Sequence, residues 1–333
     1  MTNPTYINDR LVEWGDQVFE PPLRKARPKK DQHTSLWLSA YHAWKGVEPG
    51  HRGTLIREQI ERTITKAPEV MVKITSKKNA GKGMKAIANH LSYISRNGKL
   101  EIETDQGELI IGKAALKDLF SDWQTDATGS VIPEESHERL ATNLMFSMPK
   151  GTPSKELHDC VRSVLHEEIQ GRYAFVFALH EDTDHVHAHV CVKRAALKRG
   201  PLFALKKADL ARWRERFASH LRDHGIEANA TPRRTRGVTK ESLPLEIYHL
   251  AQAGRQKHIQ KRPIAVAAEG LFERERAVWG NIGATLKASP VVSDQHLANG
   301  IKAFMQEVFN APAINSNVDI VRDDSTRDLG VKR

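Results

Sequence analysis

The hydrophobic positions change period along the chain, and the changes mark out its elements. Val70, Val72 and Ile74 alternate with Met71 and Lys73, which predicts a strand over 70–75. Met84, Ile87, Leu91 and Ile94 recur at three and four residues and are followed by Asn97-Gly98, which predicts a helix over 84–95 and its stop. A hairpin turning at Asp105-Gln106-Gly107 is expected over 101–112, a short helix over 116–125 and a strand over 141–148. An amphipathic helix over 154–170 precedes two more strands, a nearly continuous apolar run at 173–179 and an alternating one at 185–193. Leu210, Trp213, Phe217 and Leu221 mark a helix over 208–224 stopped by Gly225, and further helical periods lie at 53–66, 264–286 and 294–309. The order predicts an α+β fold: a central, mostly antiparallel sheet with packed helices, and a helical C-terminal region. Three regions are expected: an N-terminal extension over 1–68 with an aromatic cluster (Trp37, Tyr41, Trp44), a core over 69–240, and a helical region over 241–333 with a loose tail from Asn310.

Composition narrows the class. Apolar residues make up 39% of the 333 residues and aromatic ones 6%, enough for a packed core under a polar surface. Cys160 and Cys191 form neither a disulfide framework nor a zinc-finger spacing, which suits a reducing cytoplasm. No apolar run is long enough to cross a bilayer, and the first residues do not read as a signal peptide, so a cytoplasmic protein without membrane insertion is expected.

The net charge of +10 points to an anionic partner and has an address. Between Lys193 and Lys240 stand fourteen basic residues against four acidic ones, a surplus equal to that of the whole chain. The segment includes the 208–224 helix and a basic arm, Thr231-Pro232-Arg233-Arg234-Thr235-Arg236-Gly237, whose guanidinium and hydroxyl groups suit phosphates. A solvated helix face with a flexible loop would give the same pattern. A second basic run, Arg24 to Lys30, reads as a linker.

The sharpest chemical pattern is His180-Glu181-Asp182-Thr183-Asp184-His185-Val186-His187-Ala188-His189, which holds four of the chain's sixteen histidines. In a strand His185, His187 and His189 share one face, while Val186, Ala188, Val190 and Val192 take the other. A hairpin loop at 181–184 would return His180 beside them. Three imidazoles so gathered can hold a divalent metal, with Asp182 or Asp184 as an acceptor fixing a tautomer and His185 at the edge of the set. Tyr93 stands apart for another reason: it lies off the apolar stripe of its helix, just before the helix stop.

Together these elements resemble the relaxases of the MobP type, the plasmid mobilisation nucleases and the related T-DNA border endonucleases, over roughly 70–237. His90-Leu91-Ser92-Tyr93-Ile94-Ser95-Arg96-Asn97-Gly98-Lys99-Leu100 looks like the family's first motif, with Tyr93 in the nucleophile's place. Phe146-Ser147-Met148-Pro149-Lys150-Gly151-Thr152 looks like the second, a strand end and turn at the DNA, so Ser147, Lys150 and Thr152 are candidate DNA contacts. His180-x-Asp182 with His187-x-His189 looks like the third, the metal motif, and the arm carrying Arg233, Arg234 and Arg236 resembles the basic stretch beyond the core. The tyrosine precedes the histidines, as in relaxases and unlike rolling-circle replication initiators. Lys193 stands where many members carry a small polar residue, which is a departure.

The resemblance implies nicking of single-stranded DNA at an origin of transfer by Tyr93, through a reversible 5′-phosphotyrosyl intermediate. His180, His187 and His189 would hold a divalent metal, and Asp182 would assist. Magnesium or manganese suits phosphate chemistry, and imidazole ligands also admit zinc or nickel. Accessory DNA-binding and coupling proteins are implied partners. Two other readings remain at this point: a metal nuclease that uses water while Tyr93 merely packs, and a non-catalytic DNA-binding module.

Overall fold

In the computed structural model the described residues are 5–19, 49–76, 83–125, 129–182, 185–238 and 267–309. Trp37, Tyr41, Trp44, the basic run 24–30, Asp184, Lys240, the start of the helix expected from Ile264 and the tail from Asn310 lie outside them. The elements are α1 (Thr5–Phe19), α2 (Pro49–Ile64), β1 (Met71–Ile74), α3 (Met84–Ile94), β2 (Ile102–Thr104), β3 (Leu109–Ile110), α4 (Lys113–Trp123), β4 (Ala141–Ser147), α5 (Ser154–Ile169), β5 (Tyr173–His180), β6 (His187–Ala196), α6 (Lys207–Asp223), a 3-10 turn (Arg233–Arg236), α7 (Ala267–Lys287) and α8 (Val292–Phe309). The class is α+β.

The strands form one antiparallel sheet in the order β1-β4-β6-β5-β2-β3. β6 is interior, so its alternating side chains meet a helical layer on each side. Ala188, Val190 and Val192 join Leu144, Phe146, Phe175 and Phe177 in a core closed by Leu157, Val161 and Leu165 of α5 and Trp213, Phe217 and Leu221 of α6. On the other face Cys191, with Val176 and Ala178 of β5, packs under Ile87, Leu91 and Ile94 of α3 and Leu116, Leu119 and Trp123 of α4. The strand expected from His185 begins at His187, because the β5–β6 ladder starts at the pair His180–His187 and leaves His185 in the loop. At the far end β6 runs on to Ala196, which pairs with Tyr173 beyond a bulge.

Helices from the two ends of the chain share a core of their own. Ile7 and Leu11 of α1, Ile56 and Ile60 of α2, Trp279 and Ile282 of α7, and Ile301 and Phe304 of α8 are buried together. Each of these helices packs on two of the others, α1 on α2 and α7, and α8 on α2 and α7. Arg57 binds Asp294 through two hydrogen bonds, of 2.7 and 2.9 Å, and reaches Asn8 at 2.8 Å. The described parts of 1–68 and 241–333 are thus one packed unit, a partnership that helical periodicity alone does not reveal.

The basic arm joins this unit to the sheet. Thr235 is buried and donates from its hydroxyl to the Val18 carbonyl at 2.6 Å, while its own carbonyl accepts from the Trp279 indole N–H at 2.9 Å. Trp279 also meets Phe19 edge-on and Phe304 with ring centroids 5.9 and 5.2 Å apart. Trp279→Ala should therefore cost about 3–5 kcal/mol of unfolding free energy, as expected for a large buried aromatic. Chemical denaturation followed by circular dichroism measures it, and a loss below about 1 kcal/mol would contradict this packing.

Candidate active site

The hairpin between β5 and β6 gathers three imidazoles. His180 pairs directly with His187, and His189 lies opposite Ala178, so His180, His187 and His189 lie on one face around the end of the ladder. Their ring centroids are 4.7–5.3 Å apart, and one ring nitrogen from each lies within 4.8 Å of the other two. α3 crosses above this face and ends at Ile94, whose carbonyl accepts a hydrogen bond from His180 Nε2 at 2.8 Å. That contact places the helix end, and with it Tyr93, beside the trio. The Tyr93 ring is 53% exposed, with its centroid 5.6 Å from that of His189 and 6.2 Å from that of His180.

The chain leaves α3 through a strained turn. Arg96, Asn97 and Gly98 have φ of 51°, 58° and 79°, three left-handed residues in succession. Asparagine and glycine accept this conformation readily, but arginine does so at a cost. Local hydrogen bonds hold it: Asn97 N donates to Ser92 O at 2.7 Å, Leu100 N to Ser95 O at 2.8 Å and Gly98 N to Ser95 Oγ at 3.1 Å. Gly98 is required twice over, since a Cβ there would also lie 2.8 Å from the Gly112 carbonyl carbon. The turn brings Arg96 back over the site. Its guanidinium pairs with Asp182, lies 3.2 Å from His180 Nδ1 and sits 5.5 Å from the Tyr93 ring centroid.

The trio fits a divalent cation by its chemistry. Burial lowers the pKa of His180 and depresses that of His189 to about 3, so both are neutral near pH 7 and carry lone pairs. His187 Nδ1 donates to the His185 carbonyl at 2.9 Å, which puts its lone pair on Nε2. With the His180 proton on Nε2, its Nδ1 lone pair faces Arg96, so a metal there would meet a nitrogen already presented to a cation. His189 Nδ1 is buried without a hydrogen-bond partner, as a group awaiting a ligand would be.

The other expected residues divide into two groups. Ser147 is buried opposite His187 in the β4–β6 ladder, and the turn carrying Lys150 and Thr152 follows directly, with Thr152 bonded to Pro149 O and Lys150 exposed. Asp182 and His185 lie in the exposed loop beside the trio. The basic arm makes its ion pairs with other parts of the chain. Arg234 pairs with Glu275 at 3.4 Å and Arg236 with Glu69 at 3.2 Å, and Arg233 opens the same 3-10 turn against α7.

Much of the α6 charge lies on the sheet's far face. Arg212 binds the buried Glu168 at 2.8 Å, Arg216 pairs with Glu167 and Glu168, and Arg222 pairs with Glu215. Lys193 is buried and donates to the Thr125 carbonyl, tying β6 to the end of α4. Two further residues of the first motif, His90 and Arg96, stand beside Tyr93. Together with Tyr93 they recur every third residue along α3 and its exit, and that spacing was the available signal.

An antiparallel sheet carrying a histidine trio, with an exposed tyrosine on the helix above it, defines a His-hydrophobe-His type of nuclease fold. Residues 93–226 match the family model described as relaxase, MobA/VirD2-like, nuclease domain. Over this stretch the chain is similar to the nuclease domain of that family. The chain is 30% identical over 176 residues to the T-DNA border endonuclease VirD2 of Rhizobium radiobacter, which covers 49% of this chain and 42% of the relative. It is 28% identical over 194 residues to the VirD2 of Agrobacterium fabrum, covering 54% and 43%, and 30% identical over 177 residues to that of Rhizobium rhizogenes, covering 49% and 40%. The chain thus spans less than half the length of these relatives. Among the described residues no helix is long and apolar enough to cross a membrane.

The depressed histidines carry a pH signature. Burial holds His189 at about 3 and His90 at about 4, against 6.5 for the unfolded chain. Between those values and 6.5 the unfolded chain binds more protons, so this contribution is complete above pH 6.5 and falls away as the pH drops toward 4. Denaturation of wild type and His189→Phe from pH 7 to pH 4.5 should show a shallower loss in the variant. Equal slopes would contradict the burial of His189.

Proposed function

We propose that residues 69–240 form a nicking domain that cuts one DNA strand at an origin of transfer by tyrosine transesterification. One observation carries this reading: an exposed phenol beside His180 and His189 of three convergent imidazoles, at the end of α3. The phenol gives up its proton, its oxygen bonds to phosphorus, and the bond from phosphorus to the 3′ oxygen breaks. The 3′ oxygen takes up a proton, and the 5′ phosphate stays on Tyr93. Running the same steps backwards rejoins the strand, because the phosphotyrosyl bond keeps the energy of the one it replaced.

A phosphodiester is anionic and repels an oxygen nucleophile, so positive charge is needed at the attacked group. A divalent cation held by His180, His187 and His189, magnesium or manganese in first place, would supply it when bound by polarising the non-bridging oxygens. Arg96 is a second source, since its guanidinium stands beside the Tyr93 ring. Asp182 acts through Arg96, which it pairs with and holds over the site. Ser147, Lys150 and Thr152 follow the strand backbone at the open end of the sheet. Arg233, Arg234 and Arg236 reach DNA only where it passes the helical unit.

Two experiments test this. A single-stranded oligonucleotide spanning the nick site, incubated with the protein and magnesium or manganese, should give an SDS-resistant adduct that disappears in Tyr93→Phe. Cleavage that survives Tyr93→Phe would establish the water-using nuclease instead, and binding without cleavage the non-catalytic module. At saturating metal, Arg96→Ala should slow adduct formation by about a hundredfold, the usual size of one lost charge-stabilising donor. A change below threefold would remove Arg96 from the mechanism.

A further inference from the structure

Next to the trio, on the same face of the sheet, lies a cavity of about 240 Å3 between the N-terminal half of α3 and strand β4, lined in part by Ser76, Ile87, His90, Arg139, Ala141 and Asn143. Its floor is the strand that carries Ser147 at its other end. Asn143 pairs with Cys191 and Met145 with His189, so Asn143 shares the face of the imidazoles. His90 stands between cavity and active site, with its ring 6.2 Å from that of Tyr93 and 6.4 Å from that of His189.

Two polar atoms of the lining residues have no partner. Asn143 Oδ1 and His90 Nε2 are both buried and make no hydrogen bond, although the Asn143 backbone is fully engaged, its N–H with Ser76 Oγ at 2.8 Å and its carbonyl with Thr75 N at 2.8 Å. Leaving such groups unsatisfied is costly, and a native protein that keeps two at one cavity has a use for them. The rest of the lining mixes the aliphatic Ala86, Ile87, Leu140 and Ala141 with the polar Ser76, Asn89 and Arg139. Aliphatic side chains interspersed with polar ones suit a heterocycle with polar edges.

We infer that this cavity takes one unstacked nucleobase of the strand cut at Tyr93, and that Asn143 Oδ1 and His90 Nε2 read its edge. The inference rests on the nicking reading above. The distance supports it: at about 3.4 Å per stacked nucleotide, a base beyond His90 lies within roughly two nucleotides of the attacked phosphate. Single strands are commonly read in this way, by splaying out a base and binding its polar edge. Asn143 Oδ1 is an acceptor and selects a base with an exocyclic amino group, so adenine, cytosine or guanine is admitted. Thymine presents carbonyl oxygens on both sides of its one ring N–H and is disfavoured.

The test uses the full chain and a single-stranded oligonucleotide pool randomised around the nick site, with magnesium present. Strands captured as covalent adduct are sequenced. Wild type should show one position, within about two nucleotides of the cut, at which thymine is depleted roughly tenfold, the size of one hydrogen bond to a buried group. Asn143→Leu, which fills the same space without the acceptor, should lose that depletion. It should also melt no lower than wild type, because it removes an orphaned acceptor. Asn143→Ala gives a second reading should leucine fit poorly. Adduct from wild type with the same base profile in both variants would overturn the pocket while leaving the nicking reading intact. A complete absence of adduct from wild type would overturn both.

Discussion

Everything at the site depends on β6 being an interior strand that must satisfy two faces at once. Its even-numbered positions, Ala188, Val190 and Val192, are locked into the core beneath α5 and α6. That burial fixes the register, since a slip of one residue would turn His187 and His189 into the core and the valines out. The packing of their neighbours places the imidazoles, and the bonds of His180 to the Ile94 carbonyl and of His187 to the His185 carbonyl orient their rings. Burial then keeps His180 and His189 neutral and able to hold a cation, so the packing of the sheet sets the chemistry of this face.

The second element is the exit from α3. A helix that ended in an ordinary turn would carry Arg96 away from the trio. Three successive left-handed residues fold it back instead, over Tyr93 and onto Asp182 and His180. Strain of this kind persists only where surrounding bonds enforce it. Here Ser92, Ser95 and the Gly98–Gly112 contact do so. Phenol, guanidinium and imidazoles therefore sit on a stiff frame, whose fixed geometry suits the proposed chemistry better than a mobile loop would.

Much of this was legible in the sequence. Alternation placed His187 and His189 on one face, the helix stop at Asn97-Gly98 set the end of α3, and the position of Tyr93 off the apolar stripe foretold its exposure. The mate of each helix was not legible, because periodicity says which face is apolar and not what covers it. The pairing of α1 and α2 with α7 and α8 is such a case. Charge counting had the same limit. The surplus at 193–240 read as one basic surface, but Arg212, Arg216, Arg222, Arg234 and Arg236 meet acids distant in sequence or on the same helix, many of them on the face away from the trio. Opposite charges far apart along the chain cannot be matched until it folds.

The central claim is that the Tyr93 oxygen itself becomes bonded to the cut strand. Tandem mass spectrometry of the nuclease-trimmed, protease-digested reaction product tests it most directly. The account predicts a peptide containing Tyr93 that carries a 5′-linked nucleotide, with the modification on that tyrosine. Cut DNA bearing a 5′ phosphate, with every Tyr93 peptide unmodified, would contradict it.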